Sequence, residues 1–352
     1  MRTALRRWAR LVDRYGRRVF QALIAVGAAG AAWFAVAPVV LAHGANATAA
    51  PVLSDILFDW AFDPSIAVPL AVAALAYVWA VRHVDARHPG SPVPRARTVA
   101  FLAGLLAIEI ALQSVVERYD TTLFSDHMVQ HILLTLVAAP LLALGAPITL
   151  LLRVARPEQR RRFILPVLHS RVVRVLAFPV VSWSLFAGVM WGTHFSPMFE
   201  QSLSDPFVHD IEHLLYLSAG LLFWWPAVAL DPSPWRMPHP ARVMYLLLQM
   251  PQNTFLALSI LSAAAPLYPH YANLSLTWGL GAFLDQQLAG GLMWIIGDAV
   301  FISSMVLVIV GWMRSEERDV RRTERIADTA MAAIRDREAA LADRLAREHI
   351  DG

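Results

Sequence analysis

The sequence has no cysteine, which excludes a disulfide scaffold, an iron–sulfur cluster and any thiolate metal site. Lysine is absent too, so all 30 basic residues are arginine. Charge is scarce. Charged residues make up 16% of the chain and hydrophobic residues 57%, whereas a soluble globular protein carries about 25% charged and about 45–50% apolar residues. An ordinary cytosolic domain is therefore excluded. A net charge of +3 and a pI near 9.6 could suit a nucleic-acid binder, but the arginines lie at loops and ends rather than on one face, so no nucleic acid is expected. No internal repeat is visible.

What is there instead is a series of apolar runs, giving a mean hydropathy of +0.50. A helix needs roughly 20 apolar residues to cross a bilayer. Eight candidate spans stand at 19–42, 66–81, 98–116, 127–152, 172–193, 210–230, 241–264 and 285–313. The second is short, but Pro64 and Pro69 can open it and Arg82 can snorkel at its end. The expected fold is all-α, a polytopic bundle of about eight transmembrane helices in a lipid bilayer.

Arginine placement sets the topology. The first 18 residues carry seven arginines, the loop up to Pro64 has none, and rich and poor loops alternate without a break to the Arg- and Glu-rich tail. With eight spans, both termini face the cytoplasm. The first run has a second reading, because Val40-Leu41-Ala42 has the small-residue spacing of a signal cleavage site. Seven spans would then remain, and His43 would become an N-terminus able to chelate a metal through its amine and imidazole. The expected organisation is a basic cytoplasmic leader (1–18), a first span or signal (19–43), a membrane-embedded core (44–313) and a charged cytoplasmic helical tail (314–352). In the tail, Ala327, Met331, Ile334, Leu341 and Leu345 recur at helical spacing, interrupted by Glu338. That pattern is a solvated helix with a weak seam or a docking surface for a partner.

The twelve histidines divide by membrane side. His83, His88, His169, His239 and His349 fall on the inner side or in the tail, mostly beside arginine or proline. His43, His127, His131, His194, His209, His213 and His270 fall at or near the outer face. His127 and His131 open the fourth span in Asp126-His127-Met128-Val129-Gln130-His131, four residues apart and so on one helix face. His209-Asp210-Ile211-Glu212-His213 repeats the device at the mouth of the sixth span. One such pair reads as interfacial anchoring. Two pairs on one side of the membrane can meet across the bundle and supply four imidazoles.

Around them lie Met190, His194 and Met198 at the end of the fifth span, His270 in the last outer loop, and Asp285 at the start of the eighth. Asp285 also suits a helix N-terminus. Asp298, deeper in the same span, defaults to a polar contact or an ion path, and Gln249, Gln252 and Asn253 make a polar break around Pro251. Imidazoles with nearby thioethers and no thiol point to copper first and zinc second. Paired histidines within one helix suit the axial ligation of a b-type haem less well. The His-x-x-Glu-His spacing of 209–213 also fits an inverted zinc-protease motif with Glu212 as base, which would need a third ligand and an open position for water.

The run Met128-Val129-Gln130-His131-Ile132-Leu133-Leu134, followed by Ala139-Pro140-Leu141-Leu142-Ala143-Leu144-Gly145-Ala146-Pro147, resembles the signature of the CtaG family. These are multi-span assembly factors for caa-type cytochrome c oxidase. Blocks at 191–198, 209–226, 249–260 and 285–294 resemble further parts of that family in the same order, so the likeness covers roughly 55–313. It implies a bacterial inner-membrane protein, not an enzyme, whose partners are cytochrome c oxidase subunits and which delivers or inserts copper. By the same resemblance, His127, His131, His194, His209 and His213 occupy the family's histidine positions and Asp285 its acidic one, with Asp285 and Glu212 in supporting roles. A single-span copper chaperone that shares the CtaG name uses a cysteine pair, a mechanism this cysteine-free chain cannot adopt. The rival readings are a copper transporter, a membrane zinc metallohydrolase and a purely structural scaffold.

Overall fold

A computed structural model describes residues 62–274 and 276–350, with positions 49, 50, 52 and 60 ahead of them; side chains are described up to residue 340. The leader 1–18, the first expected span 19–42 and His43 lie outside the described residues, so neither reading of the first span is tested.

The described residues are helical and contain no strand. The long helices are α1 (Pro64–Arg87) and α2 (Arg95–Gln113), with the short α3 (Val115–Tyr119) continuing α2. The fourth expected span is broken into α4 (Phe124–Ile132), a π-helical stretch (Leu133–Ala138), α5 (Ala139–Leu144) and α6 (Pro147–Val154). After short irregular helices come α7 (Pro179–His194), α8 (Pro197–Ser202), α9 (Pro206–Val228) and α10 (His239–Leu261). Last are α11 (Pro269–Asn273) and α12 (Ala282–Ile350).

Local chemistry explains the starts. Asp63-Pro64, Ser196-Pro197 and Asp205-Pro206 each pair a capping side chain, which accepts a hydrogen bond from a first-turn N–H, with a proline at the first helical position. Proline there loses no hydrogen bond and its φ is already helical.

Four helical stretches are long and apolar enough to cross a membrane: Pro64–Arg87, Arg95–Tyr119, Phe124–Val154 and Ala282–Ala340. The segments expected as the fifth, sixth and seventh spans form the helices α7, α9 and α10, which are not among these four. Large apolar side chains such as Leu75, Val180, Phe255, Ile295 and Leu307 face outward, while His127, Gln130, Glu212 and Gln249 are buried. This inversion of the soluble pattern is that of a membrane protein. The last helix passes residue 313 without a break, so the tail prolongs the eighth span.

The broken fourth span lies at the centre, in contact with α2, α9 and α12. Its π register follows from Pro140. The N–H of Ala139 bonds to the carbonyl of Leu134, leaving the carbonyl of Thr135 facing proline, which has no N–H to give. The buried indole of Trp224, on α9, donates to that carbonyl instead at 2.8 Å. The Thr135 hydroxyl donates back to the His131 carbonyl at 2.6 Å. The π stretch therefore begins two residues after His131, consistent with the frequent placement of π-bulges at functional sites.

Candidate metal centre

Helical spacing puts His127 and His131 on one face of α4, and His209, Glu212 and His213 on one face of α9. The fold turns these faces toward each other. His127 Nε2 lies 3.8 Å from one Glu212 oxygen and His131 Nε2 lies 3.9 Å from the other. Both distances are too long for a hydrogen bond. They are short enough for two ligands on one ion, which at about 2.0–2.1 Å per bond stand at most about 4.2 Å apart. His127, His131 and Glu212 form one buried group of potential ligands, and Asp120, His209 and His213 form another.

The first group is short of partners. Among the described residues, both ring nitrogens of His127 and of His131, both Glu212 oxygens and Nε2 of His194 are buried without a hydrogen bond. Each buried unsatisfied polar atom costs about 1–3 kcal/mol. Seven such atoms in one place make up a donor set that a metal ion could satisfy. His194 is held in a ligating tautomer: its Nδ1 donates to the Met190 carbonyl at 2.7 Å, so the lone pair sits on Nε2. Metal-bound histidines are oriented by such bonds. The His194 ring lies 6.1 Å from that of His131, which itself stacks on Tyr216 at 3.8 Å. Beside them is a small cavity, about 30 Å³, lined by Met128, Met190 and Met293 together with His131 and His194.

The second group adjoins the first. The His127 and His209 rings stack at 5.4 Å, and His209 Nε2 approaches Asp120 Oδ2 at 3.3 Å. Asp120 and Glu117 border the candidate site, and the sequence did not single them out. Glu117 accepts from Gln130 Nε2 at 2.6 Å, and Gln130 Oε1 in turn accepts from His213 Nε2 at 2.9 Å. The available signal was a pair of acids beside the lone Arg118 at the outer end of a span.

Asp285 has a different position. It accepts from the backbone N–H groups of Phe124, at 2.6 Å, and Ser125, at 3.2 Å, and from the Ser125 hydroxyl. It therefore caps the helix that carries His127 and His131 and is in neither ligand group. His270 is also occupied, with Nε2 donating to the Thr121 carbonyl at 2.8 Å. Asp298 accepts from Thr254, Trp294 and Asn253 at 3.1–3.4 Å, as a polar contact between α10 and α12.

Aromatic side chains close the group on the side of α8 and α11. Phe199 of α8 packs on His127 at 4.8 Å and stacks with Tyr268 at 4.2 Å, and Phe124 meets both Phe199 and Tyr268 edge-on. The Tyr268 hydroxyl donates to the His194 carbonyl at 3.1 Å, and that of Tyr271 to the Asp120 carbonyl at 2.6 Å. Burial pushes both phenols above their ordinary range, so they stay neutral donors.

The family model for the cytochrome c oxidase caa3 assembly factor matches residues 75–315. Uncharacterized proteins of Mycobacterium bovis and Mycobacterium leprae are 30% identical over 289 residues and 29% over 280, covering 80% and 78% of this chain. The chain spans less than half the length of these curated relatives, 43% and 42%. No solved structure matches. All the ligand-type side chains described above lie within the matched region, and the chain belongs to the cytochrome c oxidase caa3 assembly factor family.

Proposed function

We propose that this protein binds copper as cargo at His127, His131 and His194, with Glu212 beside them, and assists its insertion into a cytochrome c oxidase subunit docked against it. It does so from the inner membrane as a bundle of eight spans, with the histidine face outside the cytoplasm. The carrying observation is the set of buried imidazole nitrogens and carboxylate oxygens that have no hydrogen-bond partner among the described residues. Imidazoles suit copper and zinc alike, and the adjacent thioethers favour Cu(I). The ion passes to the client by ligand exchange, and no covalent catalysis is involved. Asp298 is engaged by three donors, which gives no support to a copper path along the last helix. Glu212, the general base of the protease-like spacing, is grouped with His127 and His131 rather than with His209 and His213.

The test is copper and zinc per chain, measured by mass spectrometry on detergent-purified protein after anaerobic Cu(I) loading and desalting. Wild type should retain copper, and a His127→Ala/His131→Ala double variant should retain less. Deletion of the protein should lower oxidase activity and oxidase copper content. Normal copper content in the oxidase of a deletion strain would rule the role out.

A further inference from the structure

We propose that the chain holds two ions side by side, the second in a site formed by Asp120, His209 and His213. The proposal rests on the reading that the His127 group binds metal. One nitrogen from each imidazole and one Asp120 oxygen lie within 4.8 Å of one another, and all three residues are buried. No ligand is shared with the His127–His131–Glu212 group, so both sites can be filled at once.

Two of the three members, Asp120 and His213, are held from behind. Asp120 Oδ1 accepts from the Thr121 N–H at 2.5 Å, while Oδ2 faces His209 at 3.3 Å. The Asp120 carbonyl is fixed by the Tyr271 hydroxyl. His213 is set by a chain of bonds whose direction is forced. Gln130 Nε2 donates to two acceptors, Glu117 Oε2 and the Ala111 carbonyl. Its oxygen must therefore face His213, and His213 Nε2 must donate. The His213 lone pair is then on Nδ1.

The rings run in an unbroken ladder, His213 to His209 at 4.2 Å, His209 to His127 at 5.4 Å and His127 to His131 at 4.3 Å. This is the spacing over which an ion can change ligands one at a time. The two sites differ in softness. Two imidazoles and a carboxylate, with no sulfur among the donors, suit a divalent ion of the Cu(II) or Zn(II) class. The His131–His194 end adjoins the methionine-lined cavity and suits Cu(I).

The experiment uses full-length detergent-purified protein loaded with Cu²⁺ and desalted, with copper counted per chain and the electron paramagnetic resonance spectrum recorded. Wild type should retain two coppers per chain and show the Cu(II) signal of the carboxylate site. Asp120→Asn, nearly isosteric, should retain one and lose that signal, and His209→Gln should do the same if Asp120→Asn does not fold. His127→Ala/His131→Ala should lose the other ion. One copper in wild type overturns the proposal whichever variant removes it, as do two coppers left unchanged by both Asp120→Asn and His209→Gln. No copper in wild type overturns the reading beneath it.

Discussion

A neutral imidazole carries one donor and one acceptor, and inside a protein both are ordinarily satisfied. His270 and the Nδ1 of His194 obey that rule, whereas His127 and His131 satisfy neither nitrogen. The four-residue spacing made the histidine pairs legible in the sequence, because the period of a helix fixes which side chains share a face. Asp120 was not legible, since its partner His209 lies far along the chain and only tertiary packing joins them. Asp285 was legible as important and also as a helix-terminus carboxylate; the helix it caps belongs to a distant segment. Asp285→Ala should destabilise the protein by about 2–4 kcal/mol through two buried N–H groups left unpaired. It should also weaken copper retention without removing a ligand. A thermal unfolding midpoint equal to wild type would show that the cap contributes nothing.

At the scale of the element, helix starts were readable from Ser/Asp-Pro pairs, and the bend in the fourth span from Pro140. What satisfies the carbonyl left over by Pro140 was not readable, because Trp224 approaches it from another helix. That approach needs a small residue on α9. A Cβ added at Gly220 would stand 3.0 Å from the Ala139 Cβ and 3.3 Å from the Thr135 Cα. Gly220→Val should therefore push α9 away from the π stretch at a cost of about 1–3 kcal/mol. Since His213 is on the same helix two turns earlier, copper per chain should fall as well. Full copper retention in this variant would show that the two helices tolerate separation.

Across the whole molecule, polarity runs inward, with apolar side chains against lipid and the polar cluster inside. The apolar runs displayed most of this in the sequence. They did not display where the last span ends, because helical propensity continues through the charged tail. The helix Ala282–Ile350 is 69 residues long, about 100 Å at 1.5 Å per residue. From Glu316 to Ala340 its side chains are exposed. A chain ending at residue 320 should bind as much copper as the full chain after the same loading and desalting. Loss of copper on truncation would assign the tail a part in holding the site.

The closure by Phe124, Phe199, Tyr268 and Tyr271 separates two quantities that are usually taken together, how tightly an ion is held and how long it stays. A metal–imidazole bond exposed to water exchanges at a rate set by the bond itself. On the proposed function, an ion behind these side chains would leave only when Phe199 and Tyr268, at the short helices Pro197–Ser202 and Pro269–Asn273, move aside. Cargo would then be trapped kinetically even at moderate affinity. A client that parted those helices would lower the barrier to release without having to outcompete the histidines.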